Sequence, residues 1–382
     1  MEALQGTTAA DLVRAVDGLR IEEARRIVSA TVRGYALLGP LDQVRRTMLE
    51  LVRARFHVPT LDIESAELSP VDGFGKLALR TADRRIVEAV RIPLEDPSRA
   101  SACVSSQVGC ALACSFCATG RLGFSRNLET WEIVEQVRLL RGADGLGGPR
   151  RIHGVVFQGM GEPMLNLDRV VQAIRVLSEP SGLAIDMRAM TVCTSGIPDG
   201  IRRIGRELPK VRVGLSIGHA RADKRRSLMP IEAVHSLESA LEALAEHTRL
   251  TGLKPLVAYT PLAGVNDGEA DADALAEALG RFAHLAGTSA RLSVIPYNRQ
   301  DSADPYSRQG AEQSVAFLSS LRARGLFPHV RYSGAGDIAA ACGQLASSLD
   351  GGRRVSLRAR PNPNSGASDD SKRPDAHAGV DA

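Results

Sequence analysis

Aromatic side chains are scarce in this 382-residue chain, at 4% with a single tryptophan. Any recognition by ring stacking therefore rests on few residues. No run of about 18 apolar residues occurs, which excludes a membrane-spanning helix. The first residues, Met-Glu-Ala-Leu-Gln-Gly, lack the basic and apolar regions of a secretory signal. The expectation is a cytoplasmic chain with reduced thiols. A strong charge of either sign is also missing: 48 Lys and Arg against 44 Asp and Glu leave +4. That balance permits a polyanionic partner without requiring one. Apolar residues at 44% and charged residues at 24% are ordinary for a globular chain long enough for a large core.

Cysteines are few, six in all, yet four of them fall within fifteen residues: Cys103-Val-Ser-Ser-Gln-Val-Gly-Cys110-Ala-Leu-Ala-Cys114-Ser-Phe-Cys117. In a reducing compartment, clustered cysteines bind metal or do chemistry more often than they form structural disulfides. Cys110, Cys114 and Cys117 follow C-x3-C-x2-C spacing. Such a triplet wraps thiolates around one face of an iron–sulfur cluster and leaves one iron of a four-iron cluster open to a second molecule. Zinc favours closed sites of four ligands with paired C-x2-C units, and no second pair exists here. Cys103, seven residues upstream of Cys110, needs a different explanation.

Four segments are expected. Residues 1–59 carry apolar side chains at helical spacing, broken by Gly39-Pro40 and ended by Pro59, and read as a helical N-terminal domain. Residues 60–95 contain two stretches, 76–80 and 85–92, that alternate apolar and polar, the sign of half-buried strands in a hairpin. Glu88 lies in the second; an isolated strand glutamate is usually solvated. Residues 96–346 alternate short apolar strands (101–105, 153–158, 189–194, 211–216, 254–260, 291–297) with helices (129–142, 167–178, 198–207, 234–248, 270–285). A further helix near 310–324 and strand near 327–332 follow. This rhythm gives parallel strands with right-handed crossovers, and ligands gather at the strands' C-terminal ends. Residues 350–382, rich in Gly, Ser, Pro, Asn, Asp and Arg, are expected to be a disordered tail. Two basic clusters stand out, one at Arg202, Arg203, Arg206, Lys210 and Arg212, the other at Lys224, Arg225 and Arg226. Each is a phosphate contact or, more often, a solvated helix face.

C-x3-C-x2-C at the head of a βα array resembles the radical S-adenosylmethionine (SAM) superfamily. The longer string from Cys103 to Cys110, continued by Ala118-Thr-Gly and Arg126-Asn-Leu, is similar to its RlmN/Cfr-type RNA adenine methyltransferases. The resemblance covers most of residues 70–346 and implies an α/β fold: a partial (β/α)6 barrel with a [4Fe-4S] cluster on Cys110, Cys114 and Cys117. Further strand ends carry it on. Gly161 and Glu162 in Gln158-Gly-Met-Gly-Glu-Pro are the implied contacts to the SAM amine. Ser195 follows the third strand. Ser216, Ile217, Gly218 and His219 follow the fourth, with a glycine inserted before the histidine. Asn298 lies in Ile295-Pro-Tyr-Asn. Cys193 reads as a buried free thiol.

Cys342, in Gly336-Asp-Ile-Ala-Ala-Ala-Cys-Gly-Gln-Leu, would ordinarily be a small core residue. The resemblance makes it instead the cysteine that carries a methyl group, with Cys103 as its partner in a transient disulfide and Glu88 as proton acceptor. By the family mechanism one SAM methylates Cys342, and a second yields a 5′-deoxyadenosyl radical that activates the S-methyl group. That group then adds to an adenine ring carbon, C2 ahead of C8, in rRNA or tRNA. A flavodoxin or ferredoxin is the implied electron donor, and the chain is expected to act as a monomer. Departures concern the substrate side: the N-terminal 60 residues, Ala258-Tyr-Thr-Pro-Leu-Ala-Gly-Val-Asn-Asp, and Ser333-Gly-Ala-Gly-Asp in place of Arg-Gly-Asp-Asp. They leave open a radical SAM methylase of a peptide or small molecule as the alternative.

Overall fold

The computed structural model describes residues 1–34, 39–142, 144–300 and 303–345, and the backbone of 349–350 and 353–354. Three helices open the chain: Ala9–Ala15 (α1), Ile21–Val32 (α2) and Arg46–Arg55 (α3). Thr8 and Asp11 cap α1 reciprocally: Asp11 N donates to Thr8 Oγ1 at 3.2 Å and Thr8 N to Asp11 Oδ2 at 2.8 Å. Leu12, Ile27, Leu49 and Val52 form a small core of their own. Glu23 on α2 accepts from Arg45 Nε at 2.8 Å, Arg45 N at 2.9 Å and Arg20 N at 3.0 Å, which fixes α2 against the start of α3. The Arg45 hydrogen bonds hold the Glu23 carboxyl down to about 2. Glu2–Ala3 (β1) pairs in parallel with Phe56–His57 (β2), closing this unit.

One ten-stranded sheet organises the rest. Asp62–Leu68 (β3), Gly75–Arg80 (β4) and Ile86–Pro93 (β5) run antiparallel to one another, and β5 pairs antiparallel with Arg99–Cys103 (β6). The cysteine loop follows, with a two-stranded ribbon of Gln107–Gly109 (β7) and Phe124–Asn127 (β8) around Ala118–Leu122 (α4). Thereafter strand and helix alternate: Thr130–Gly142 (α5), Arg151–Phe157 (β9), Leu167–Leu177 (α6), Met190–Thr194 (β10), Pro198–Glu207 (α7) and Arg212–Ser216 (β11). A short Ala222–Leu228 (α8) precedes Leu237–Thr251 (α9), Leu256–Tyr259 (β12), Glu269–Ala286 (α10), Arg291–Val294 (β13), Ala311–Ala323 (α11) and His329–Val330 (β14). Strands β6, β9, β10, β11, β12 and β13 lie in chain order, each parallel to the next, and β14 extends the edge. This is a partial (β/α)6 barrel; sequential order without reversal puts every C-terminal strand end on one rim.

Two expectations need correcting. The strand Asp62–Leu68 was not foreseen: it is a mostly exposed edge strand, and its acidic sequence carries no apolar face to betray it. The hairpin strands β4 and β5 are not half-buried; both faces are covered, so Lys76, Glu88 and Arg91 are buried charges. Lys76 and Glu88 share one face and pair at 3.6 Å. Arg91, on the other, donates to Gly148 O at 2.8 Å. The tail expected over 350–382 lies outside the described residues, apart from a ladder pairing Leu349–Asp350 with Arg353–Arg354. Among the described residues no helix is long and apolar enough to cross a membrane.

Candidate active site

At the C-terminal rim of the barrel a cavity of about 160 Å³ opens among the loops after β6, β9, β10, β11, β12 and β13. Cys110, Cys114 and Cys117 line it together with Gly161, Glu162, Cys193, Ser195, Ser216, Gly218 and Cys342. A second cavity of about 120 Å³ adjoins it, lined by Cys103, Arg331, Tyr332 and Phe74. Cys117, Gln158, Gly159, Cys342 and Gly343 line both. Cys342 thus stands in the wall between the cysteine triplet and Cys103.

The loop after β6 is held by the loop after β9. Ser106 N and Gln107 N donate to Met160 O at 2.9 and 3.2 Å, and Glu162 N donates to Gln107 Oε1 at 2.8 Å. Gly161 adopts φ +97°, and a Cβ there would lie 2.5 Å from Gln107 Cβ. Its missing side chain therefore serves loop-to-loop packing as well as the cavity wall. Glu162 is 3% exposed and accepts from Met164 N at 3.1 Å and Ser195 N at 2.8 Å. Burial pushes its carboxyl up from the usual range despite these donors. A cationic amine in the cavity would relieve that cost.

Arg225 is the clamp of the adjoining loops. Fully buried, it donates from Nε to Ile217 O at 2.9 Å and from Nη2 to Ser195 O at 2.6 Å, and pairs with buried Glu232. The inserted glycine is required where it stands: Gly218 has φ +68°, and a Cβ there would meet Met229 Sδ at 2.3 Å. Ile217 is buried behind the cavity wall. His219 does not line the cavity either. Its Nδ1 accepts from Arg221 N at 2.9 Å and its Nε2 lies 3.0 Å from Asp271 Oδ1. A ring contact to a bound ligand would have to give up one of those bonds. Asn298, likewise behind the wall, donates to Ser333 Oγ at 2.7 Å and to Cys342 O at 3.3 Å. It positions the segment that carries Cys342.

Three more observations concern charge. Lys76 Nζ donates to Ile338 O at 2.6 Å and so ties Glu88 to the segment four residues before Cys342. Glu88 shares a face of β5 with Val90 and Ile92, which line the thiol cavity. Half of the basic cluster residues are held by carboxylates: Arg202 by Glu246 at 2.7 Å, Arg203 by Asp168 at 2.6 Å, Lys224 by Asp271 at 2.9 Å, and Arg225 by Glu232. Arg331 was not foreseen. It lines the thiol cavity and donates to Gln158 Oε1 at 3.2 Å.

The donor set fits an iron–sulfur cluster. The three loop thiols line one cavity without converging as a group fit for a single metal ion, among the described residues. A cluster needs one thiolate per iron, not several at one centre. Burial is the main cause that raises all three thiols above the ordinary range, Cys110 to about 12, and Cys114 is raised further by its two neighbours. Thiolates here require a cationic group in the cavity, which a cluster's iron provides. Burial likewise pushes Cys103 and Cys193 to about 12. All six cysteines are free.

The description "Radical SAM superfamily" matches residues 104–276. A probable RNA methyltransferase of Sorangium cellulosum is 51% identical over 381 residues, covering 92% of this chain and 95% of that one. The dual-specificity RNA methyltransferase RlmN of Syntrophobacter fumaroxidans is 38% identical, covering 85% of this chain and 90% of its own length. The crystal structure of a radical SAM methyltransferase from Sphaerobacter thermophilus superposes with a TM-score of 0.79 at 33% identity, over 90% of this chain and 99% of the other. With its cysteine triplet at the rim of a partial barrel, this chain belongs to the RlmN-type RNA methyltransferases of the radical SAM superfamily.

Proposed function

We propose that the chain methylates C2 of an adenine in rRNA or tRNA, with Cys342 carrying the methyl group. The observation that carries this reading is the place of Cys342, in the wall shared by the triplet cavity and the cavity of Cys103. A thiol there faces a methyl donor on one side and an incoming base on the other. The relatives' names as RNA methyltransferases support RNA as the substrate class.

Cys110, Cys114 and Cys117 would hold a [4Fe-4S] cluster, and Glu162, Ser195, Ser216 and Gly218 border the space left for SAM. Bound together, cluster and SAM supply reductive cleavage and hydrogen-atom abstraction, fed by a flavodoxin or ferredoxin. The chain's residues do the rest. Glu162 takes the amine of SAM as its ionic partner. The Cys342 thiol accepts the methyl group, and its S-methyl carbon is the one delivered to the ring. Asn298 and Ser333 fix the backbone from which that thiol projects. Glu88, kept beside the thiol cavity by Lys76, accepts the proton lost by the ring carbon. The Cys103 thiolate then attacks the Cys342 sulfur; the bond from that sulfur to the bridging methylene carbon breaks, its electron pair stays with the carbon, and a proton taken up there completes the methyl group, leaving a transient Cys103–Cys342 disulfide for later reduction.

The test is anaerobic cluster loading, incubation with SAM, reduced flavodoxin and unmodified rRNA or tRNA, and mass spectrometry of the nucleosides. 2-Methyladenosine is expected. 8-Methyladenosine would move the reaction to the other carbon; unmodified RNA beside a methylated peptide would remove RNA as substrate.

A further inference from the structure

The thiol cavity has a rim that the methyl-transfer chemistry does not use. Phe74 and Tyr332 both line it, with ring centroids 6.3 Å apart and planes tilted by 58°. Tyr332 is 67% exposed. The ring stands beside the reacting thiols in a chain with only 4% aromatics. The ring is not loose. Tyr332 Oη donates to Asp72 Oδ2 at 3.0 Å, and the same oxygen accepts from Ala335 N at 2.8 Å. The other carboxylate oxygen accepts from Phe74 N at 3.3 Å. One aspartate therefore anchors the Tyr332 hydroxyl just beyond β14 and the Phe74 backbone in the turn between β3 and β4. Beside them Arg331 donates to Gln158 Oε1 and has no carboxylate partner among the described residues.

Rigid aromatic faces open to solvent next to an unneutralised guanidinium are the elements that hold single-stranded nucleic acid: rings stack on bases and the cation meets phosphate or a base's π face. The base that reaches Cys342 must enter the cavity, whereas Tyr332 is mostly exposed at its rim, where a neighbouring base in an unstacked strand falls on it. We propose that Phe74 and Tyr332 form a stacking subsite for the nucleobase flanking the reacting adenine, with Arg331 as its cationic neighbour. The inference rests on the reading of RNA as substrate.

The experiment uses the cluster-loaded full chain and an RNA hairpin with 2-aminopurine next to a loop adenine. Stacking on an aromatic ring quenches 2-aminopurine fluorescence. Wild type is expected to bind with quenching. Tyr332→Leu and Phe74→Leu keep apolar bulk without a π face; each should weaken binding by about 5- to 150-fold, the range for one base stack, and lose quenching. Tyr332→Phe keeps the ring, loses the bond to Asp72, and should stay within about threefold of wild type. Urea midpoints show that the variants fold. Wild-type affinity in Tyr332→Leu would overturn the proposal. So would a Tyr332→Phe defect equal to that of Tyr332→Leu, since the residue would then be a hydroxyl anchor. If wild type neither binds the hairpin nor methylates ribosomal or transfer RNA, the RNA reading itself fails and the subsite falls with it.

Discussion

Ala118 donates its backbone N–H to the carbonyl of Gly343 at 2.9 Å. Ala118 follows the last cysteine of the triplet and Gly343 follows Cys342, so one hydrogen bond joins the cysteine-triplet loop to the segment that carries Cys342. Other contacts reinforce the tie. Thr119 Oγ1 donates to Leu345 O, Gln300 Nε2 to Phe116 O at 2.5 Å, and Gln344 Nε2 to Arg299 O at 2.7 Å. Residues up to 226 positions apart are thereby locked into one wall, which holds Cys342 beside the triplet.

Asn298 is part of that lock, and its replacement tests positioning against ligand binding. Asn298→Ala removes the bonds to Cys342 O and Ser333 Oγ. At about 1 kcal/mol per bond, Cys342 methylation should slow by about tenfold or more while cluster content stays at the wild-type level. The rate of methyl incorporation from labelled SAM and iron analysis together measure this. An unchanged rate would remove Asn298 from the account.

Cys103→Ala should leave Cys342 able to accept a methyl group but unable to release the product. The expected outcome is a covalent protein–RNA species, visible as a shifted band that survives denaturation, with turnover lost. Free methylated RNA from this variant would show that Cys103 does not resolve the adduct.

Arg225→Met leaves Glu232 buried without its cation. Breaking such a pair costs about 3–5 kcal/mol, because an uncompensated charge stays in the interior. Urea unfolding at neutral pH should record that loss. The double variant Arg225→Met/Glu232→Leu should recover a large part of it.

His247 on α9 is buried, and burial brings its ring down to about 4. The unfolded chain protonates this ring near its ordinary pKa of about 6.5, whereas the folded chain resists until about 4. Stability from this group is present above about pH 6.5 and is lost as pH falls from there towards 4, by up to about 3 kcal/mol. Denaturant midpoints at pH 7 and pH 5 should show the loss, and His247→Leu should flatten that part of the profile.

The barrel was legible because its strands are short apolar runs buried between helices, and its helices keep a 3.6-residue period. The triplet was legible because its ligands are local. What escaped was set by partners far away in the chain. Lys76 and Glu88 mimic a solvated face, yet both are buried, and Lys76 pairs there with Glu88 as well as with Glu67. His219 reads as a ligand at a strand end, but its ring nitrogens bond to Asp271 and to the Arg221 backbone. Asp72 brings Phe74 and Tyr332 together across more than 250 residues, and no periodicity announces such a meeting. Gly218 is an insertion by sequence and a steric necessity against Met229 in the fold.

The most direct measurement is the mass of the Cys342 peptide after the cluster-loaded chain has been incubated with SAM carrying a labelled methyl group, before any RNA is added. The account predicts one labelled methyl group on the Cys342 sulfur, which passes into 2-methyladenosine when RNA and reductant follow. Methylated RNA from a chain whose Cys342 stays unmodified would contradict it.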